Sequence, residues 1–244
     1  MPSIFLSPST QEFNPYVIGG TEEQYMNEVA DAMEPYLVSN GIRFVRNNPS
    51  EPLSAAINLS NSGEYDLHLA LHSNAAPPAT AGTVRGTDVY YNANSSRGRD
   101  AAETIAANFK LIYPDPALVK TVANRTLAEL VRTNAPAVLI EIAYHDNVED
   151  ANWIVNNITP IARNLVQALT QYFGIPFVEA QEPQVQTVTT AGGVLNIRQR
   201  PNTSATILGT AANGTPITVL GQWQDWYVVN YNGLIGYAFA QYIQ

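Results

Sequence analysis

Apolar positions along the chain follow one set of rhythms up to about residue 176 and another beyond it. In the first part, short apolar runs bounded by turn residues (Ile4-Phe5-Leu6, Ile42 to Val45, Leu67 to Leu71, Ala137 to Ala143) predict strands buried on both faces of a parallel sheet. Between them, Met26, Val29, Ala30, Met33 and Leu37 recur at helical spacing. Thr21-Glu22-Glu23-Gln24 predicts a capping box at the start of that helix, and Asn40-Gly41 predicts its end. Pro35 predicts a kink in the last turn. A short helix is expected over residues 53–59, a strand over 86–91, and helices over about 98–112, 149–156 and 160–173. Residues 113–126 read as irregular, and 127–132 carry no decisive pattern. Strands alternating with helices predict an α/β fold, a mostly parallel sheet flanked by helices.

After residue 176 the helical period disappears. Residues 177–187 are rich in Pro, Gln and Glu and read as a linker. From 188 to 244, strand signals at 194–197, 217–220, 226–231 and 236–239 alternate with turn dipeptides such as Asn213-Gly214 and Asn232-Gly233. This predicts a small all-β barrel able to fold by itself. The expected domains are therefore 1–176, a linker at 177–187, and 188–244.

Two of the buried runs carry polar chemistry. Asp66-Leu67-His68-Leu69-Ala70-Leu71-His72-Ser73-Asn74 puts an imidazole at a strand's carboxyl end, where open α/β sheets place their ligands. Ala137-Val138-Leu139-Ile140-Glu141-Ile142-Ala143-Tyr144-His145 puts a carboxylate inside a strand. A buried carboxylate needs a metal, a cation or a proton as partner. Composition narrows the options. There is no cysteine, so disulfides and thiolate metal sites are excluded, and a transition metal would have to be held by His and carboxylates. Net charge is −9 without a Lys/Arg cluster, which argues against nucleic acid. The tail, with Arg198 and Arg200 against Asp225, carries +1, leaving −10 on the first 187 residues. No run reaches the ~20 apolar residues of a membrane span. The Met1-Pro2-Ser3 start lacks a basic region followed by an apolar one, so no secretory signal is read in this sequence.

Together these motifs carry a resemblance. A capped helix with an early Glu, a strand ending in His-Ser-Asn, and Pro136-Ala-Val-Leu-Ile-Glu141-Ile-Ala-Tyr-His-Asp-Asn147 resemble the type-3 family of zinc-dependent N-acetylmuramoyl-L-alanine amidases over about residues 3–175. The tail resembles a bacterial SH3-like domain through Leu195-Asn196-Ile197-Arg198, Gly214 to Leu220, Trp226-Tyr227-Val228-Val229 and Gly236-Tyr237.

The resemblance implies a site. Glu23, four residues before Asn27, and His72 take the places of family zinc ligands, and Glu141 takes that of the general base. The family's first ligand, a His in the loop after strand one, is missing: the loop reads Ser7-Pro8-Ser9-Thr10-Gln11. Only His68, His72 and His145 exist. His145 is favoured as the replacement ligand, with His68 and Asp146 as alternatives. The function implied is hydrolysis of the peptidoglycan amide between the lactyl group of N-acetylmuramic acid and L-alanine, by zinc-activated water. The rivals are a non-catalytic peptidoglycan-binding pseudo-amidase and a stem-peptide metallopeptidase. Peptidoglycan is the expected partner, with stem peptides bound by the SH3-like domain, and neither nucleic acid nor membrane is expected. Without a signal, the protein is expected to stay cytoplasmic until lysis or another route releases it to the wall.

Overall fold

The computed structural model describes all 244 residues, in two compact units. The larger comprises residues 3–33 and 44–172; the smaller comprises residues 1–2, 34–43 and 173–244. In chain order the elements are β1 (Ser3–Pro8), α1 (Glu22–Ser39), β2 (Arg43–Arg46), α2 (Leu53–Asn61), β3 (Leu67–Asn74), β4 (Thr87–Asn92), α3 (Ser96–Phe109), β5 (Val119–Asn124), α4 (Ala128–Val131), β6 (Ala137–Tyr144), α5 (Val148–Asn156) and α6 (Ile158–Phe173). Then follow β7 (Gln184–Thr187), β8 (Val194–Arg198), β9 (Ile207–Ala212), β10 (Pro216–Trp223), β11 (Trp226–Tyr231) and β12 (Leu234–Phe239).

The predicted α/β class and the separate all-β sheet are both present. The first sheet runs β2-β1-β3-β6-β4-β5. β1, β3 and β6 pair in parallel, β4 runs antiparallel to β6, and β5 is parallel to β4. β3 and β6 are buried almost throughout, as near-continuous apolar strands must be. Residues 119–124, read as irregular, form an edge strand. Val119 alone of its six residues is buried, so Lys, Thr and Asn leave little apolar rhythm to detect. No helix of the chain is long and apolar enough to cross a membrane.

One sheet face matters for function. Parallel register sets Phe5 beside His68, Ser7 beside Ala70, His68 beside Ala137, Ala70 beside Leu139, and His72 beside Glu141. On the other flank of β6, Asp88 is the neighbour of Glu141. Period two puts all of these on the same face. α4 covers it, with Leu130 packed among Ala70, Ala137 and Leu139.

The smaller unit is an antiparallel sheet in the order β7-β10-β11-β12-β8-β9 around Leu195, Ile197, Ile217, Val219, Val229 and Ile243. Two expected boundaries need correction here. Residues 184–187 are not linker: they pair with Pro216 to Val219 as an edge strand of the barrel. The end of α1 also belongs to this unit. Val38 packs on the cluster of Val178, Leu220, Trp226, Val228 and Tyr237. Asn40 brackets the backbone of Val178, donating to its carbonyl (2.8 Å) and accepting from its N–H (2.7 Å). Val178 is buried inside the segment read as linker because Pro/Gln/Glu composition does not reveal which single apolar residue will dock.

Candidate active site

His72 lies near the carboxyl end of β3 and is the hub of the site. Its Nδ1 lies 2.8 Å from Glu22 Oε1, and its Nε2 lies 3.0 Å from Glu129 Oε2. Glu129 also meets His68 Nε2 at 3.1 Å and accepts from Ser7 Oγ at 2.6 Å, both on Oε1. His68 Nδ1 pairs with Ser60 Oγ at 2.9 Å, and its ring stacks on Phe5. Ala70, the small residue between the two histidines on this face, leaves room for one carboxylate to touch both rings. His68, His72, Glu22, Glu129 and Ser7 are all buried.

The helical face carrying Met26, Val29 and Met33 explains why Glu22, rather than the expected Glu23, meets His72. Residues 22, 26, 29 and 33 lie on one stripe of α1, and all four are buried. Glu23 is turned about 100° away. Its backbone carbonyl receives Asn27 Nδ2 at 2.7 Å, and Asn27 also ties down the carbonyl of Ser9 in the loop after β1. The same stripe logic, applied one residue earlier, would have picked Glu22 from the sequence.

His145 is not brought to His72. Its Nδ1 sits 2.8 Å from the Ser73 carbonyl and 3.1 Å from Ser73 Oγ, and its ring stacks on Tyr16. Asp146, the reserve candidate, accepts from the backbone N–H groups of Ala76 and Gly82. Gln11, in the loop after β1, also reaches the pair of His72 and Glu22. Its Nε2 is 3.2 Å from His72 Nδ1 and 3.4 Å from Glu22 Oε1, and Asn14 donates to both Gln11 Oε1 and Glu22 Oε2.

Glu141 adjoins His72 across the sheet, and its Oε2 is sealed from solvent without a hydrogen-bond partner. Burial pushes its pKa up to about 7; the nearby His72 eases this and Glu22 and Asp88 reinforce it. Burial alone would lower the His72 imidazole, but its bonds to Glu129 and Glu22 outweigh that and raise it well above its ordinary value. Burial likewise opposes charge on Glu22 and Glu129, yet their histidine partners hold both below the usual carboxylate range.

A carboxylate oxygen and a ring nitrogen 2.8 Å apart share a proton in a charge-assisted hydrogen bond. His72 Nδ1 and Glu22 Oε1 are therefore two strong donors aimed at one place, beside a carboxylate oxygen with no partner. No group of three or more His, Asp or Glu side chains surrounds a single point here.

The barrel carries a groove of about 560 Å³ lined by Trp226, Phe239, Tyr242, Asn196 and Arg198. Trp226 and Phe239 meet edge to face at 5.3 Å, and Arg198 Nη1 donates to the Ala205 carbonyl.

An α/β domain with a buried His/Glu constellation near the carboxyl ends of parallel strands is thus followed in the chain by a small antiparallel β barrel. The chain belongs to the N-acetylmuramoyl-L-alanine amidase family, whose model matches residues 13–171, and a bacterial SH3 domain matches residues 193–244. In fold it is similar to the N-acetylmuramoyl-L-alanine amidase AmiC2 of Nostoc punctiforme, with TM-score 0.61, 16% identity, and 71% of this chain and 97% of that one covered. It is similar also to the catalytic domain of CwlV, an N-acetylmuramoyl-L-alanine amidase from Bacillus (Paenibacillus) polymyxa var. colistinus (TM-score 0.62, 15% identity, 72% and 100% covered). The catalytic domain of the CD27L endolysin targeting Clostridia difficile aligns with TM-score 0.59 at 21% identity, covering 70% and 98%. No curated protein sequence matches the chain.

Proposed function

We infer that this member of the amidase family hydrolyses the peptidoglycan amide between the lactyl group of N-acetylmuramic acid and L-alanine. The observation that carries the reading is Glu141. Its carboxylate is pushed to a pKa of about 7 by burial, lacks a partner on Oε2, and stands next to His72 at the carboxyl ends of β3 and β6. A base poised near neutrality takes a proton from the attacking water as the carbon–oxygen bond forms. It then returns that proton to the alanine nitrogen as the carbon–nitrogen bond breaks.

Zinc is the cofactor the family implies. His72 Nδ1 and Glu22 would hold it, and it would polarise the amide carbonyl and acidify bound water. Glu22 replaces Glu23 in this reading, and His145 instead holds Ser73 of β3 beside the site. The barrel groove is read as the wall-binding surface: its aromatic floor suits a peptide chain, and Arg198 suits a stem-peptide carboxylate.

A second reading is favoured by one specific observation, an amide, Gln11, as the remaining neighbour of His72 Nδ1 and Glu22: a peptidoglycan binder that does not cut. Mass spectrometry of purified peptidoglycan after incubation with the zinc-supplemented protein separates the readings. The amidase yields glycan strands free of peptide and peptides with a new amino-terminal alanine. Cleavage inside the stem would mean a metallopeptidase, and intact muropeptides would mean a binder.

A further inference from the structure

The sheet register carries the site outward from Glu141. His72 on β3 pairs with Glu141 on β6, Glu141 with Asp88 on β4, and Asp88 with Lys120 on β5, so four polar side chains form one row across four strands. Residues opposite each other in register share a face. The cover of that face stops short of the row: α4 and Tyr90 pack over Ala70, Ala137 and Leu139, one step back along β3 and β6. Exposure rises along the row, from buried His72 through half-buried Glu141 and Asp88 to exposed Lys120. Burial raises the Asp88 carboxyl, and the Lys120 ammonium pulls it back down, so the lysine's charge lies on the row's side of the sheet. The Tyr90 hydroxyl approaches Asp88 at 3.5 Å from behind. Lys120 is one of only two lysines in the chain, and its ammonium makes no ion pair.

We propose that this row is the bed for the peptide half of the substrate, and that Lys120 is its anion anchor, selecting a free carboxylate carried two or three residues beyond the scissile bond. The proposal rests on the amidase reading, in which Glu141 marks the bond that is cut. Neighbouring strands lie ~4.8 Å apart, so β5 stands ~10 Å from β6 across two spacings. An extended peptide at ~3.4 Å per residue covers that span in about three residues, or two where the lysine stem leans toward Asp88. The lactyl side of the amide is uncharged, because its carboxyl is consumed in the bond, so a carboxylate that reaches Lys120 belongs to the peptide. Asp88 stands between the base and the lysine and repels a carboxylate placed nearer the bond. The row therefore reads the distance of the charge as well as its sign.

The test compares two soluble N-acetylmuramoyl tripeptides, one with a free carboxylate on the third residue and one amidated there. Release of the alanine-terminated peptide by the full-length, zinc-supplemented protein is followed for each. The parent should prefer the acid by about 3- to 5-fold in kcat/KM, the scale of an exposed ion pair. The preference should appear in KM and shrink as salt is added. Lys120→Gln should abolish it and Lys120→Arg should keep it. Lys120 is exposed on an edge strand, so both variants should fold as the parent does. A parent without the preference, or a preference that survives in Lys120→Gln, overturns the proposal. Should the parent cut neither compound, the amidase reading fails instead, and calorimetric binding of the same two uncut compounds judges Lys120. Tighter binding of the acid that is lost in Lys120→Gln then supports the anchor, and equal affinities overturn it.

Discussion

At the residue scale, the site is a set of buried charges whose costs are met by each other, except at Glu141. That carboxyl has a folded pKa of about 7, above an ordinary carboxylate, so the folded state holds its proton more tightly than the unfolded one. Its contribution to stability is therefore full below about pH 4 and is lost as pH rises toward 7. In metal-free protein, Glu141→Gln should raise stability at pH 8 by on the order of 2 kcal/mol and change it little at pH 4, as read by urea unfolding at both pH values. Glu129 has the opposite sign: its depressed folded pKa stabilises the protein above the unfolded carboxyl's value and is lost as pH falls below it. Gln11 supplies a second prediction. Gln11→His places an imidazole where an amide lies 3.2 Å from His72 Nδ1, and should tighten zinc binding at least about 10-fold in calorimetry. Unchanged affinity would mean that the metal, if bound, does not sit at this corner.

At the scale of elements, the strands that carry His72 and Glu141 were legible because continuous apolar runs have few other uses, and the helix carrying Glu22 was legible from its period. What could not be read was which of two adjacent glutamates points inward until the stripe was followed back to its first turn. Glu129 was not readable at all. A four-residue helix has no period, and only the packing of Leu130 on β3 and β6 reveals that its neighbour is driven under the sheet. His145 lies at the expected strand end, where the Ser73 carbonyl in the adjoining strand engages its ring. Packing also sets an element-level prediction in the barrel. A Cβ on Gly221, at the irregularity in β10, would stand 2.2 Å from the Ser39 carbonyl oxygen. Gly221→Ala should therefore destabilise the smaller unit by about 1–3 kcal/mol in thermal unfolding, since backbone cannot retreat as a flexible side chain can.

For the whole molecule, the change of rhythm near residue 176 located the barrel, but not all that completes it. β7, Val178 and residues 34–43 are part of the smaller unit, and the cluster around Trp226 and Val228 depends on Val38 and Val178. A fragment of residues 188–244 alone would leave that cluster open to water. It should melt well below the corresponding transition of the full chain, or aggregate, where the sequence had suggested a self-sufficient tail. The central claim, that Glu141 makes this chain a hydrolase of the muramoyl–alanine bond, is tested most directly by following amino-terminal alanine released from peptidoglycan by the full-length, zinc-supplemented protein and by its Glu141→Gln variant. The account predicts release by the parent that falls at least about 10²-fold in the variant, while wall binding is retained. Equal release by both proteins would contradict it.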